Sequence, residues 1–138
     1  MLDRLYKFFT SVKLAVVLLA LGLFIVFFGT LAQGHFGLYI TQARYFQTLF
    51  IDLQAMYVGF HKFFDMLGQG FGHPLVPLDS NAVLSIPRIP VFPGGYCVGG
   101  LLLINLFAAH LRYYKSGYKR FGIALIHLGV VLLLLLSF

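Results

Sequence analysis

The segment from Phe121 to Phe138 constrains this chain more than any other. It reads Phe-Gly-Ile-Ala-Leu-Ile-His-Leu-Gly-Val-Val-Leu-Leu-Leu-Leu-Leu-Ser-Phe, apolar except for one ionisable residue, His127. Lys119 and Arg120 stand immediately before it. At about 1.5 Å rise per residue such a helix is roughly 27 Å long, enough to cross the hydrocarbon core of a bilayer. An imidazole within such a segment is expensive and calls for a reason. Seven residues separate it from Arg120, which puts it about 10 Å into the membrane.

The rest of the composition agrees. The chain of 138 residues is 60% hydrophobic and only 10% charged. A soluble domain has about a quarter charged residues, so the composition predicts a membrane protein. The net charge of +6 is not a nucleic-acid signal. Seven of the ten Lys and Arg, namely Arg4, Lys7, Lys13, Arg112, Lys115, Lys119 and Arg120, flank apolar runs. That is the positive-inside distribution. Arg44, Lys62 and Arg88 are balanced by Asp52, Asp65 and Asp79. The single cysteine, Cys97, permits neither an internal disulfide nor a Cys-x-x-Cys-His haem attachment site.

These patterns predict an all-α polytopic membrane protein, residues 1–138 forming one membrane domain. Spans are expected at about 14–33, 94–111 and 121–138. The first run, behind Arg4, Lys7 and Lys13, also has the layout of a signal peptide, but it is longer than a usual h-region and reads as an uncleaved anchor. Residues 34–92 are expected outside the membrane and 112–120 as a basic cytoplasmic turn. The N-terminus is then inside and the C-terminus outside. Within the outer region Phe46, Leu49, Phe50, Leu53, Met56, Tyr57, Phe60, Phe63, Phe64 and Leu67 recur at steps of three and four. This predicts an amphipathic helix from about Thr41 to Leu67 lying along the membrane or on a partner, with Asp52, Gln54 and Lys62 toward water. Pro87-Arg-Ile-Pro90-Val-Phe-Pro93 predicts an extended strap. Gly22 with Gly29, and Gly122 with Gly129, predict two helix-packing seams, and Gly95 with Gly99 a G-x-x-x-G contact.

Asn105 and His127 stand seven residues on either side of the basic turn and so are expected at one depth. Asn105 could hold one imidazole nitrogen and leave the other for a metal. The same pair could equally hydrogen-bond and fix helix pairing without any cofactor. His110 is expected near the interface, and His35, His61 and His73 outside and scattered. No catalytic triad, carboxylate pair or phosphate loop is visible, and with four Asp and no Glu there is little for hydrolysis. No catalytic residue is assigned.

Several stretches resemble a known family. Leu5-Tyr-Lys-Phe-Phe-Thr-Ser-Val-Lys-Leu-Ala-Val-Val-Leu-Leu, Gly29-Thr-Leu-Ala-Gln33 and Gly37-Leu-Tyr-Ile-Thr-Gln-Ala-Arg-Tyr-Phe46 resemble the start of the ResB (CcsB) family of cytochrome c biogenesis proteins. So do Ile89-Pro-Val-Phe-Pro-Gly-Gly-Tyr96, Leu101-Leu-Leu-Ile-Asn-Leu-Phe-Ala-Ala-His110 and Gly122-Ile-Ala-Leu-Ile-His-Leu-Gly129. The resemblance implies a bacterial inner-membrane protein that works with a CcsA/ResC-type partner in haem export and delivery to apocytochrome c. It implies a b-type haem shared with that partner and His127 as its transmembrane ligand, beside which the matching depth places Asn105. Members of that family continue into a large extracytoplasmic domain and a further span, so the chain is expected to be an N-terminal portion or a reduced subunit. The partners implied are the CcsA/ResC-type protein, apocytochrome c and membrane lipid, with no nucleic acid. The rival expectation is a structural or accessory membrane subunit without cofactor.

Overall fold

The computed structural model describes residues 1–73, 77–113 and 121–137. Its elements are α1 (Leu2–Phe9), α2 (Val12–Phe36), α3 (Leu38–Thr41), a π-type turn (Gln42–Phe46), β1 (Phe50–Asp52), α4 (Leu53–Gly70), α5 (Ser80–Ser85), β2 (Pro90–Pro93), α6 (Gly95–Tyr113) and α7 (Phe121–Ser137). The chain is mostly helical. Two helices, α2 and most of α6 to Arg112, are long and apolar enough to cross a membrane. Both leave much of their apolar surface uncovered: Val16, Leu19 and Leu23 of α2, and Ile104 and Phe107 of α6, are more than half exposed. Apolar helices with uncovered faces suggest membrane association. The apolar helix α7 is shorter. The expected cytoplasmic turn beyond Tyr113 lies outside the described residues.

The chain divides into two compact units, Met1–Gly22 with Val98–Phe138, and Leu23–Cys97. In the first unit, one face of α6 carries Val98, Asn105 and Arg112. These are seven residues apart, so they fall near one azimuth of a 3.6-residue helix. Val98 lies against Gly22. Asn105, 4% exposed, donates its side-chain N–H groups to the carbonyls of Phe9 (2.5 Å) and Ser11 (3.2 Å). Arg112 donates to the Thr10 hydroxyl at 2.5 Å, and that hydroxyl donates in turn to the Tyr6 carbonyl at 2.8 Å. The Tyr6 and Ser11 carbonyls also accept from the Thr10 and Ala15 N–H groups, while the Phe9 carbonyl, at the end of α1, takes its donor from Asn105.

In the second unit, Phe24, Phe27 and Phe28 of α2 meet Phe60 and Phe63 of α4 and Phe92 of β2. Ring centroids are 4.6 Å apart for Phe28 and Phe60, 5.7 Å for Phe27 and Phe63, and 4.9 Å for Phe24 and Phe92. These are ordinary separations for packed aromatic rings.

The outer helix expected from Thr41 does not begin there. Residues 42–46 form a π-type turn, closed by the Gln47 N–H on the Gln42 carbonyl, and residues 50–52 are a strand. Asp52 is the reason α4 starts where it does. Its backbone is extended and its carboxylate accepts from the Ala55 N–H at 2.8 Å, the arrangement of an N-cap. Asp52 therefore does not face water as expected, and neither does Gln54, which is 3% exposed. At its other end α4 closes on Gly72, whose φ is +77°. The His73 N–H reaches the Gly68 carbonyl and the Gly72 N–H that of Gln69, the bonds of a Schellman stop.

The proline strap is extended, as its composition implies, but it is not a free polyproline segment. Pro90–Pro93 pairs antiparallel with Phe50–Asp52, with Ile51 opposite Phe92 and an irregularity between Ile51 and Asp52. A two-stranded ribbon has only edge strands, which is why it tolerates proline. Leu53 N–H to the Ile89 carbonyl and Gly94 N–H to the Leu49 carbonyl, both 2.8 Å, extend the ribbon at each end.

The glycines act differently from the expected seams. A Cβ on Gly29 would press on the Phe46 ring, while Gly122 and Gly129 have open space around them. Gly95 serves neither seam nor helix pair: a Cβ there would strike the Phe46 backbone, as one on Gly94 would strike the Thr48 carbonyl. The turn into α6 is packed directly on main chain.

Candidate functional site

His127 sits on α7 with its Nδ1 2.7 Å from the Ile123 carbonyl, one turn back. A carbonyl oxygen only accepts, so Nδ1 must carry the proton there. In the neutral ring that leaves the lone pair on Nε2. A backbone carbonyl on one nitrogen is the usual way a ligating histidine has its tautomer and ring plane set. The sequence reading gave this task to Asn105. The structure gives it to Ile123, and the side-chain amide of Asn105 is directed to Phe9 and Ser11 instead.

The second histidine at the site is His110, which depth alone had set aside. Its ring centroid lies 6.1 Å from that of His127, with the planes 32° apart. Azimuth, which depth does not report, decides which neighbour a side chain meets. Five residues separate Asn105 from His110, about 140° around the helix. Asn105 lies on the face of α6 that meets the α1–α2 junction, and His110 lies on the face toward α7. That angle could have been read from the sequence once α6 was placed.

Imidazole nitrogen is a normal axial ligand for haem iron. No group of three or more metal-ligating side chains occurs among the described residues.

Two further histidines come together in the other unit. His35 and His61, read as scattered, line one cavity of about 410 Å³ with Lys62, Asp65, Gln69, Pro77 and Leu78. Gln69 donates to Asp65 at 3.2 Å. His61 Nδ1 is buried without a hydrogen-bond partner. His61 also borders an apolar groove of about 610 Å³ walled by Tyr57, Phe60, Phe64, Leu67 and Phe71.

The polar centre of this unit is Arg44, and sequence reasoning saw only its charge balance. Its guanidinium makes a two-pronged pair with Asp52 (3.2 and 3.1 Å) and donates to Gln54 Oε1 at 2.5 Å. It also lies 4.7 Å over the Phe36 ring. Gln54 passes the chain of bonds to the Val83 carbonyl at 2.7 Å. Next to it Tyr45, fully buried, donates its hydroxyl to the Ala55 carbonyl. Burial, and then the nearby Asp52 carboxylate, push the Tyr45 phenol well above its usual value.

Compared with known proteins, the chain matches no family model, no curated protein and no solved structure.

Proposed function

We propose that this chain is a helical membrane subunit of cytochrome c biogenesis that binds haem with a CcsA/ResC-type partner and passes it on for attachment to apocytochrome c. The observation that carries the reading is the imidazole pair. His127 has its Nδ1 tied to the Ile123 carbonyl, and the His110 ring is 6.1 Å away. Both lie in stretches, Leu101–His110 and Gly122–Gly129, that are among those carrying the ResB resemblance. In this reading His127 is an iron ligand through Nε2, and Ile123 holds its tautomer. His110 is the neighbour able to share the iron or yield its place to a ligand from the partner. When bound, haem supplies the vinyl groups that the thiols of apocytochrome c join. Asn105 and Arg112 hold α6 in position from its opposite face.

The topology belongs to the same proposal. α2, α6 and α7 are three spans of a bacterial inner membrane, with the N-terminus cytoplasmic and the C-terminus outside. Residues 34–92 are extracytoplasmic, α4 lying beside the outer half of α2. The flanking Lys and Arg support this orientation. In a Cys97→Ser background, Ser80→Cys and Ser116→Cys should be labelled from opposite sides of the membrane, and labelling from one side rejects the arrangement.

The test of the site is a haem spectrum of the chain co-expressed with its partner. Wild type should show a Soret band. His127→Ala should lose most of it, and His110→Ala should weaken it or shift it. Added imidazole should restore part of the band in His127→Ala. An unchanged spectrum in His127→Ala removes the ligand role and leaves a structural subunit as the better account.

The same pair favours a second reading, a b-type electron carrier with both axial ligands in this chain. Partner dependence separates the two. A carrier keeps its haem when expressed alone, whereas a biogenesis subunit needs its partner to retain it.

A further inference from the structure

Helix α1 plays no part in the site. Its residues divide around the helix axis, with Phe8 between the two sides. At 100° per residue Leu2, Leu5, Tyr6 and Phe9 fall on one side with Phe8 at its edge, while Asp3, Arg4 and Lys7 fall on the other. No residue of α1 is buried. Leu2 is 83% exposed and Phe8 57%. An apolar stripe this open on a helix of about 12 Å needs a cover.

The structure also fixes how α1 meets α2. The helix stops at Thr10, whose φ and ψ of −91° and 5° end the regular turn. The break is held from α6 by Asn105, on the Phe9 and Ser11 carbonyls, and by Arg112, on the Thr10 hydroxyl. So α1 is a separate helix at the foot of an apolar one, joined to it through a break that α6 holds by hydrogen bonds. Lys13, at the start of α2, adds a third cation to Arg4 and Lys7.

We infer that α1 lies in the plane of the membrane as an anchor for anionic lipid, its Leu2 and Leu5 side in the acyl boundary, Phe8 at the margin of that side, and Arg4 and Lys7 among the headgroups. The inference rests on α2 crossing the membrane. Charge and continuity choose the occupant. The stripe belongs to a helix joined through that break to the most apolar long helix of the chain. The opposite side carries cations, which anionic headgroups attract. A protein partner would have to match both features beside the membrane surface.

The chain has no tryptophan, so one introduced residue reports its own surroundings. Phe8→Trp and, as a reference in the exposed part of α2, Leu19→Trp are each placed in the full chain. Each variant is reconstituted into vesicles of zwitterionic lipid, with and without phosphatidylglycerol, and with brominated acyl chains. Both tryptophans should emit blue-shifted and lose intensity to the brominated chains. The loss at position 8 should be larger with phosphatidylglycerol, and Arg4→Glu with Lys7→Glu should abolish that increment. If position 19 is quenched and position 8 is water-exposed, α1 is not an anchor and the membrane reading stands. If position 8 is shielded from water but not quenched by brominated lipid, a protein surface covers it and the inference is wrong. Equal quenching in both lipids overturns the preference for anionic headgroups. If neither position is quenched, the membrane reading fails and the anchor fails with it.

Discussion

Asn105 and His110 stand five residues apart on α6 and serve opposite faces of it. The first closes the carbonyls at the α1–α2 break, and the second faces His127 across to α7. The residue that fixes the helix and the residue proposed to sit beside the haem ligand are therefore separable by mutation. Asn105→Leu should loosen the α1–α2 junction, leaving the Phe9 carbonyl without its donor at a cost of about 1–3 kcal/mol. Thermal unfolding in detergent should show the loss. The haem spectrum per folded molecule should stay near wild type. A selective loss of haem in Asn105→Leu at full stability would return the amide to the site.

The Arg44 cluster makes a different prediction. Asp52 both caps α4 and pairs with Arg44, whose side chain is 12% exposed. Asp52→Ala should cost about 2–4 kcal/mol, combining a lost cap with a guanidinium left short of its partner. Asp79, which caps the short α5 through the Asn81 N–H, should cost about 1 kcal/mol when replaced by Ala. Equal effects from the two, measured by chemical denaturation, would show that Arg44 adds nothing.

Gly95→Ala tests the packing of the turn into α6. The added methyl meets the Phe46 backbone, which has no flexible end to move aside. The expected loss is about 1–3 kcal/mol. Gly129→Ala, where the space is open, should be neutral or slightly stabilising because Ala is the better helix former. The reverse order would mean that the spacing-seven glycines form a seam after all.

Tyr45 predicts a one-sided pH response. Its phenol is raised by burial and by Asp52, so the folded state holds the proton more tightly than the unfolded chain does. The corresponding stability is fully present below about pH 10, the value of a free phenol. It is lost as pH rises toward the folded value. In an ultraviolet titration Tyr45 should ionise above the free-phenol range, together with unfolding. Tyr45→Phe should remove that step. A Tyr45 phenol that titrates with the exposed ones contradicts its burial.

The apolar helices were legible because a long unbroken run of apolar residues has few other ways to fold. The start of α4 was not. Phe46, Leu49 and Phe50 continue the three-and-four spacing of the helix behind them, yet they belong to a turn and a strand. Periodicity counts apolar positions only. It cannot register that Asp52 is able to cap, or that residues 50–52 have a partner at residues 90–93. Gln54 misled in the same way. A polar residue on a helix reads as water-facing until something distant, here Arg44 and the Val83 carbonyl, supplies both halves of its hydrogen bonding. The imidazole pair was half legible. His127 stood out as an ionisable residue in an apolar run, whereas His110 needed the azimuth of α6, and that depends on knowing which face meets α2.

The ribbon of β1 and β2 has a consequence for how this architecture can vary. Leu53 to Ile89 leaves and rejoins the chain at adjacent points, joined by the Leu53 N–H on the Ile89 carbonyl. Whatever lies between is a detour whose two ends are tied together. Its length can change at the loop past Gly72 without altering where the polypeptide is handed to α6. Relatives of different size could then share the same pair of histidines while carrying different outer lobes. A whole domain grafted after Gly72 should leave the haem spectrum unchanged.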